Sequence, residues 1–356
     1  MPSHPRLDLV LLGIWCVAYC SACQTQAGPA PEPRVPSADP ADGPRGHSRA
    51  APTYSVHEWG LVALPMDGSQ DVALRTLPPA APPPVIDARP AAPLLFFHLG
   101  EGVDELRLDA QVDIVGGRVT EHWPPSSVRT EPGTVRWEGV VASAGSCSGA
   151  PHYPGPQSPH CRQLPDQHCE ATALAAYEAR GGTACLTFGQ GRYNHLFYRG
   201  VGRRPASALN VSRRGTSVLV ERAVGSESVG RLIRVSKEGS LVRLVLADVP
   251  PVGQSVTLPA PTESDFFVAE RDLNESMAAI GLTSEEAASF MAAWRAAIFS
   301  PNAGLAGAPG GAPPADALYY WLDEAAVTSI ARLHFEPAPA ATHRAFLARV
   351  DLGSAD

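Results

Sequence analysis

The chain has 356 residues, 44% of them hydrophobic, which is enough for one large or two ordinary domains with a real core. Its formal net charge is −8 and no basic cluster reverses that locally, so nucleic acid is excluded as a main partner. Lys237 is the only lysine, and the wealth of Ala, Pro and Arg reads as the codon bias of a GC-rich genome rather than as function.

Residues 1–23 are expected to be a secretion signal. His4 and Arg6 make a weak basic start, and the apolar run Leu7 to Ala22 is too short and interrupted for a membrane-spanning helix. The run ends in Cys20-Ser21-Ala22-Cys23, which resembles a bacterial lipoprotein box with Cys20 where Leu is usual. That resemblance implies Cys23 as the lipidated N-terminus, a lipid anchor as partner, and, from Gln24 after it, the outer membrane. A plain signal peptide cleaved near Ala27 is the alternative. Residues 24–52 are Pro/Ala-rich without apolar periodicity, a composition expected to form a disordered linker.

The folded body, expected as a single β-rich domain over 53–352, opens on the apolar run Tyr54 to Leu64. Alternation puts His57, Trp59, Leu61 and Ala63 on one face of a strand and Val56, Glu58, Val62 and Leu64 on the other. Both faces are partly apolar, which predicts a central strand covered on both sides and a Glu58 in need of a partner. After a Pro/Ala-rich connection over Pro78 to Pro93, Leu94 to Leu99 reads as a buried strand. Leu106, Leu108, Ala110, Val112 and Ile114 then alternate with polar residues, a strand with one wet face. Gly116-Gly117 suggests a two-residue hairpin turn into Arg118 to Trp123, and Val135 to Ala142 reads as a further strand.

Residues 143–193 form a Cys/Pro-rich insert with one short helical piece at Ala171 to Arg180. It holds Cys147, Cys161, Cys169 and Cys185, an even number in an exported chain, which predicts two disulfides with three possible pairings. His152, His160 and His168 share the stretch, but there is no C-x-x-C pair, so no metal and no cofactor are predicted. Gly145-Ser146-Cys147-Ser148-Gly149 has the letters of a nucleophile elbow but lacks the strand–turn–helix context, and a disulfide cysteine is the better reading. Strands follow at His195 to Gly200, Ser217 to Arg222, Arg231 to Ser236 and Leu241 to Ala247, with Lys237-Glu238-Gly239 turning the last two into a hairpin.

A helical pair over 270–299 comes next. Leu273, Met277 and Ile280 lie at helical spacing with Gly281 to end the first helix. Thr283-Ser284-Glu285-Glu286 reads as a capping box for the second, whose Ala287, Phe290, Met291, Trp294 and Ile298 make a core-facing stripe. Leu318 to Leu322 and Arg344 to Leu352 are expected as closing strands. The fold class is therefore mainly β, antiparallel and sandwich-like, with a C-terminal helical pair: α+β.

His57-Glu58-Trp59-Gly60, Val119-Thr120-Glu121-His122-Trp123-Pro124, Leu196-Phe197-Tyr198-Arg199-Gly200-Val201-Gly202, Trp294 and Arg349-Val350 occur in an order that resembles an uncharacterised family of exported bacterial proteins. That family opens on H-E-W-G and carries an F-Y-R-G-V-G strand. The resemblance runs from about His57 to Leu352; Leu61-Val62, His122-Trp123 and the cysteine-rich insert depart from it. It implies export and the domain's extent, and supplies no reaction.

The polar residues left to explain are His57, Glu58, Glu121, His122 and Arg199. If their strands are neighbours, Glu58 and Glu121 could face each other near Arg199 and hydrolyse a glycan as an acid–base pair. The alternative is a buried ion pair, with Arg199 against one of the carboxylates. The two function classes are thus a surface-anchored binding or structural domain, its partner an envelope glycan or protein, and a secreted glycan-type hydrolase using His57, Glu58, Glu121 and Arg199.

Overall fold

The computed structural model describes residues 53–64, 66, 89–126, 132–147, 179–225, 229–300 and 315–353. The leader, the linker, Cys23, Cys161, Cys169, the insert histidines and most of the helical piece at 171–180 lie outside them; Ala179 and Arg180, which are described, are not helical.

The fold is mainly β, built from antiparallel sheets with a helical pair toward the C-terminus, as the alternating patterns predict. The strands are β1 (Tyr54–Leu64), β2 (Arg89–Leu99), β3 (Glu105–Ile114), β4 (Arg118–Trp123), β5 (Thr134–Ala144), β6 (Ala184–Phe188), β7 (Gly191–Tyr193) and β8 (Leu196–Val201). They continue with β9 (Asn210–Arg214), β10 (Ser217–Glu221), β11 (Arg231–Glu238), β12 (Leu241–Asp248) and β13 (Ser255–Leu258). Helices α1 (Phe267–Ile280) and α2 (Ser284–Phe299) precede β14 (Asp316–Trp321), helix α3 (Glu324–Ile330), β15 (Ala331–Glu336) and β16 (Ala341–Asp351).

An eight-stranded sheet, ordered β12-β11-β14-β16-β1-β2-β8-β4, organises the rest. β1 lies inside it, parallel to β16 and antiparallel to β2. Its pleat sends alternate side chains to two cores. On one side Val56, Val62 and Leu64 join Tyr198, Phe346 and the inward faces of β3 and β5, whose Leu108, Val112, Val135 and Trp137 are buried. β3 and β5 belong to a five-stranded sheet ordered β15-β3-β5-β6-β7; a three-stranded sheet, β13-β10-β9, adds Val211, Val218 and Leu258 to the same core. On the other side Trp59, Leu61, Phe96 and Trp321 pack on Leu273, Met277, Phe290 and Trp294 of α1 and α2. One face of the large sheet is thus covered by sheets and the other by helices, which is why the opening strand is apolar on both faces.

The hairpin expected at Gly116-Gly117 is not formed. β3 pairs with β15 and β5, while β4 joins β8 at the edge of the large sheet. The two glycines carry the chain from one sheet to the other. A Cβ on Gly117 would sit 1.6 Å from the Val201 carbonyl oxygen, so only glycine permits this crossing. The other expected hairpin is formed: Glu238 pairs with Leu241, and Gly239 turns at φ 59°. The connection expected to run to Pro93 ends earlier, because β2 starts at Arg89. A register shift between Trp59 and Leu61 makes room there, and Gly60 lies so close that a Cβ would be 3.2 Å from the Pro93 Cα.

Candidate functional site

Two polar groups to which β1 contributes lie on opposite faces of the large sheet. Glu58 points toward the sheet-packed core and is fully buried. Its register partner on β16 is Arg344, whose Nε donates to Glu58 Oε2 at 2.5 Å. The Tyr198 hydroxyl donates to Oε1 at 2.7 Å. The guanidinium also reaches Thr328 Oγ1 of α3 at 3.3 Å and lies 5.8 Å from the Phe346 ring centre. Burial lowers the proton affinity of Arg344, but the Glu58 charge and hydrogen bond, with Tyr198 and Glu324, together more than restore it, so the net direction is up. Burial, and then the same carboxylate, push the Tyr198 hydroxyl well above its ordinary range, which keeps it a donor.

Arg199 is not the partner of Glu58. It is the register partner of Glu121, and its Nη2 lies 3.4 Å from Glu121 Oε2, both residues buried. Arg199 shares its face with Phe197, while Tyr198 between them faces Glu58. Glu58 and Glu121 therefore lie on opposite faces of the sheet, with β2 and β8 between their strands in the order, and the facing carboxylate pair considered from sequence does not exist. His122, on the other face from Glu121, sits 6.2 Å ring to ring from Trp137.

His57 belongs to the second group, on the helix face. Three histidines stand side by side on neighbouring strands there: His98 on β2, His57 on β1 and His343 on β16. Above them is the elbow between α1 and α2. Gly281 ends α1 in the left-handed conformation, at φ 104°, and His343 Nδ1 donates to the Ile280 carbonyl at 2.9 Å. The expected capping box starts α2: Glu286 N–H donates to Thr283 Oγ1, and the Glu286 carboxylate accepts from Thr283 N–H at 2.7 Å. The same carboxylate meets His57 Nδ1 at 2.9 Å through Oε2 and His98 Nε2 at 3.0 Å through Oε1. The rings of His57 and His98 are 4.0 Å apart.

Burial would raise the Glu286 carboxyl, but the hydrogen bonds from His57 and His98, the electrostatic attraction of His57 and the Thr283 N–H together outweigh it and hold it at about 2. Glu286 is wholly buried; the side chains of His57 and His98 are 8% and 11% exposed. The ligand atoms of His57, His98 and Glu286 all lie within 4.8 Å of one another, a geometry that could hold a metal ion. Sequence reasoning found His57 and the capping role of Glu286 but not their meeting, because 229 residues separate them.

The described C-terminal end of the insert packs beside this trio. Cys147 and Cys185 form one disulfide, one of the pairs the cysteine count predicts; the other two cysteines are outside the described residues. Just before Cys185, the Arg180 backbone exchanges hydrogen bonds with Ser289 of α2, N–H to Oγ at 2.9 Å and Oγ to carbonyl at 2.7 Å. A Cβ on Gly181 would come within 2.2 Å of Glu286 Cγ, so this backbone lies directly on the carboxylate's stem.

The fold and these polar groups define a mainly β, α+β domain with ion-paired carboxylates closed inside it. No protein-family model and no curated protein matches the chain. Among the described residues no helix is long and apolar enough to cross a membrane.

Proposed function

We propose that this chain is an exported lipoprotein, held in the outer membrane through Cys23, whose β-rich body binds an envelope glycan or protein or serves a structural role there. The observation that carries the choice of a binding or structural body over a hydrolase is the enclosure of Glu58. Both its oxygens are taken by Arg344 and Tyr198 inside the core, and a hydrolytic carboxylate has to reach substrate in a cleft. Glu121 and Arg199 are likewise buried against each other. Export and anchoring rest on the leader's pattern, on the linker composition and on the resemblance to exported proteins that open on H-E-W-G. The intramolecular disulfide favours an oxidising compartment.

The test has two arms. Radiolabelled palmitate should enter the wild-type chain and not Cys23→Ser, which should also leave the membrane fraction. An N-terminus found by mass spectrometry beyond Cys23 refutes the anchor. In the second arm, the protein is screened against peptidoglycan and envelope glycans, with Glu58→Gln and Glu121→Gln beside it. Both variants should melt lower and neither should abolish a turnover. Glycan hydrolysis lost in Glu58→Gln at an unchanged melting temperature refutes the binding or structural reading.

A further inference from the structure

We infer that His57, His98 and Glu286 bind a divalent first-row transition-metal ion, Zn2+ being the type that suits two imidazoles and a carboxylate. This goes beyond the proposed function and does not depend on it. Tetrahedral zinc sites hold nitrogen and oxygen at about 2.0–2.2 Å, which sets ligand atoms about 3.3 Å apart. His57 Nδ1 and His98 Nε2 already stand 2.9 and 3.0 Å from the two Glu286 oxygens. All three ligand atoms lie within 4.8 Å of one another, so side-chain rotations that bring the widest pair to about 3.3 Å open the trio to a cation. The mixed nitrogen and oxygen set favours zinc or its transition-metal neighbours over calcium and magnesium, which take oxygen.

The proton count balances without a co-reactant. In the ion-free network each imidazole donates an N–H to Glu286. To ligate, each keeps its one proton but moves it to the other ring nitrogen, leaving a lone pair at His57 Nδ1 and His98 Nε2. For His57 the receiving nitrogen is provided for: Nε2 lies 3.3 Å from Ser55 Oγ, and a hydroxyl can accept there as readily as donate. An outer partner of this kind orients a metal-bound histidine and fixes its tautomer. Glu286 is held in advance as well, by the capping box from Thr283 and by the Gly181 backbone against its stem. Two strands of one sheet and the first turn of α2 therefore supply the three ligands from rigid elements, leaving a fourth position for water or a small anion at the 8–11% exposed edge of the histidines.

The alternative is a hydrogen-bonded network that only pins α2 to the sheet, and titration of the purified full chain separates the two. The chain is stripped with EDTA, titrated with Zn2+ against a chromophoric chelator, and loaded separately with Co2+ for its visible spectrum. The expected result is a tight site whose Co2+ bands are those of four- or five-coordination, and a melting temperature raised by Zn2+. His98→Ala and Glu286→Gln should each weaken Zn2+ at that site by at least about 100-fold, since loss of an outer partner alone costs about 10–100-fold. Glutamine at 286 keeps the capping box, so that variant retains the local fold while losing the anionic ligand. Absence of tight Zn2+ binding overturns the inference. So does affinity unchanged in both variants, which would place the ion elsewhere, for example on the insert histidines.

Discussion

Replacing Arg344 of β16 by methionine should strip Glu58 on the opening strand of its ion-pair partner and cost the fold heavily. The substitution roughly conserves the side chain's apolar length, so little of its effect comes from a cavity. It removes the Nε bond to Glu58, the Nη1 bond to Thr328 and the contact over Phe346, and it leaves a fully buried carboxylate with the Tyr198 hydroxyl alone. Orphaning one member of a buried ion pair costs about 3–5 kcal/mol. For a domain of this size that is a fall of roughly 10 °C in Tm. The charge itself is the cause, so removing its partner as well should recover most of the loss. Arg344→Met combined with Glu58→Leu leaves a buried Tyr198 hydroxyl in need of an acceptor, at about 1–3 kcal/mol. Adding Tyr198→Phe removes that penalty, and the triple variant should come within about 1 kcal/mol of wild type, as apolar replacements of buried pairs commonly do. Urea unfolding of the single, double and triple variants at one pH measures each step. A cost for Arg344→Met below about 1 kcal/mol, or costs for the singles that simply add in the combined variants, would refute the reasoning.

Acid should act through Glu286. Its carboxyl is held at about 2 against an ordinary 4.5, so the stability it contributes is present above about pH 4.5 and lost as pH falls through the folded value. The shift corresponds to about 3 kcal/mol. The stability gap between wild type and Glu286→Gln, followed by urea unfolding, should therefore narrow by about 2 kcal/mol between pH 5 and pH 2.5; a constant gap contradicts it. The Cys147–Cys185 disulfide closes a separation of 38 residues, and replacing both cysteines by serine should cost about 2–4 kcal/mol, read as a lower Tm under non-reducing conditions. An unchanged Tm would mean that the flanking strands hold the insert's ends without it.

What the sequence determined by itself was local. Alternation in Tyr54 to Leu64 was enough to place His57 and Glu58 on opposite faces, to bury both faces and to require a partner for Glu58, because side-chain direction in a strand has a period of two residues. The capping box at Thr283 and Glu286, the stop at Gly281 and the core-facing stripe of α2 were legible for the same reason, since each depends on neighbours within a turn or two. Short or weakly patterned elements were not: β6, β7, β9, β13, α3 and β15 lack a run long enough to announce them. Register and sheet assignment were decided only in three dimensions. The β1–β16 pairing is parallel and joins residues 286 apart, so nothing near Glu58 pointed to Arg344 in place of Arg199. Two glycines that suit a hairpin turn instead carry the chain between sheets, a choice made by the Val201 backbone packed against Gly117. The meeting of His57, His98 and Glu286 was likewise invisible in the chain, because it depends on which face of the finished sheet receives the start of α2.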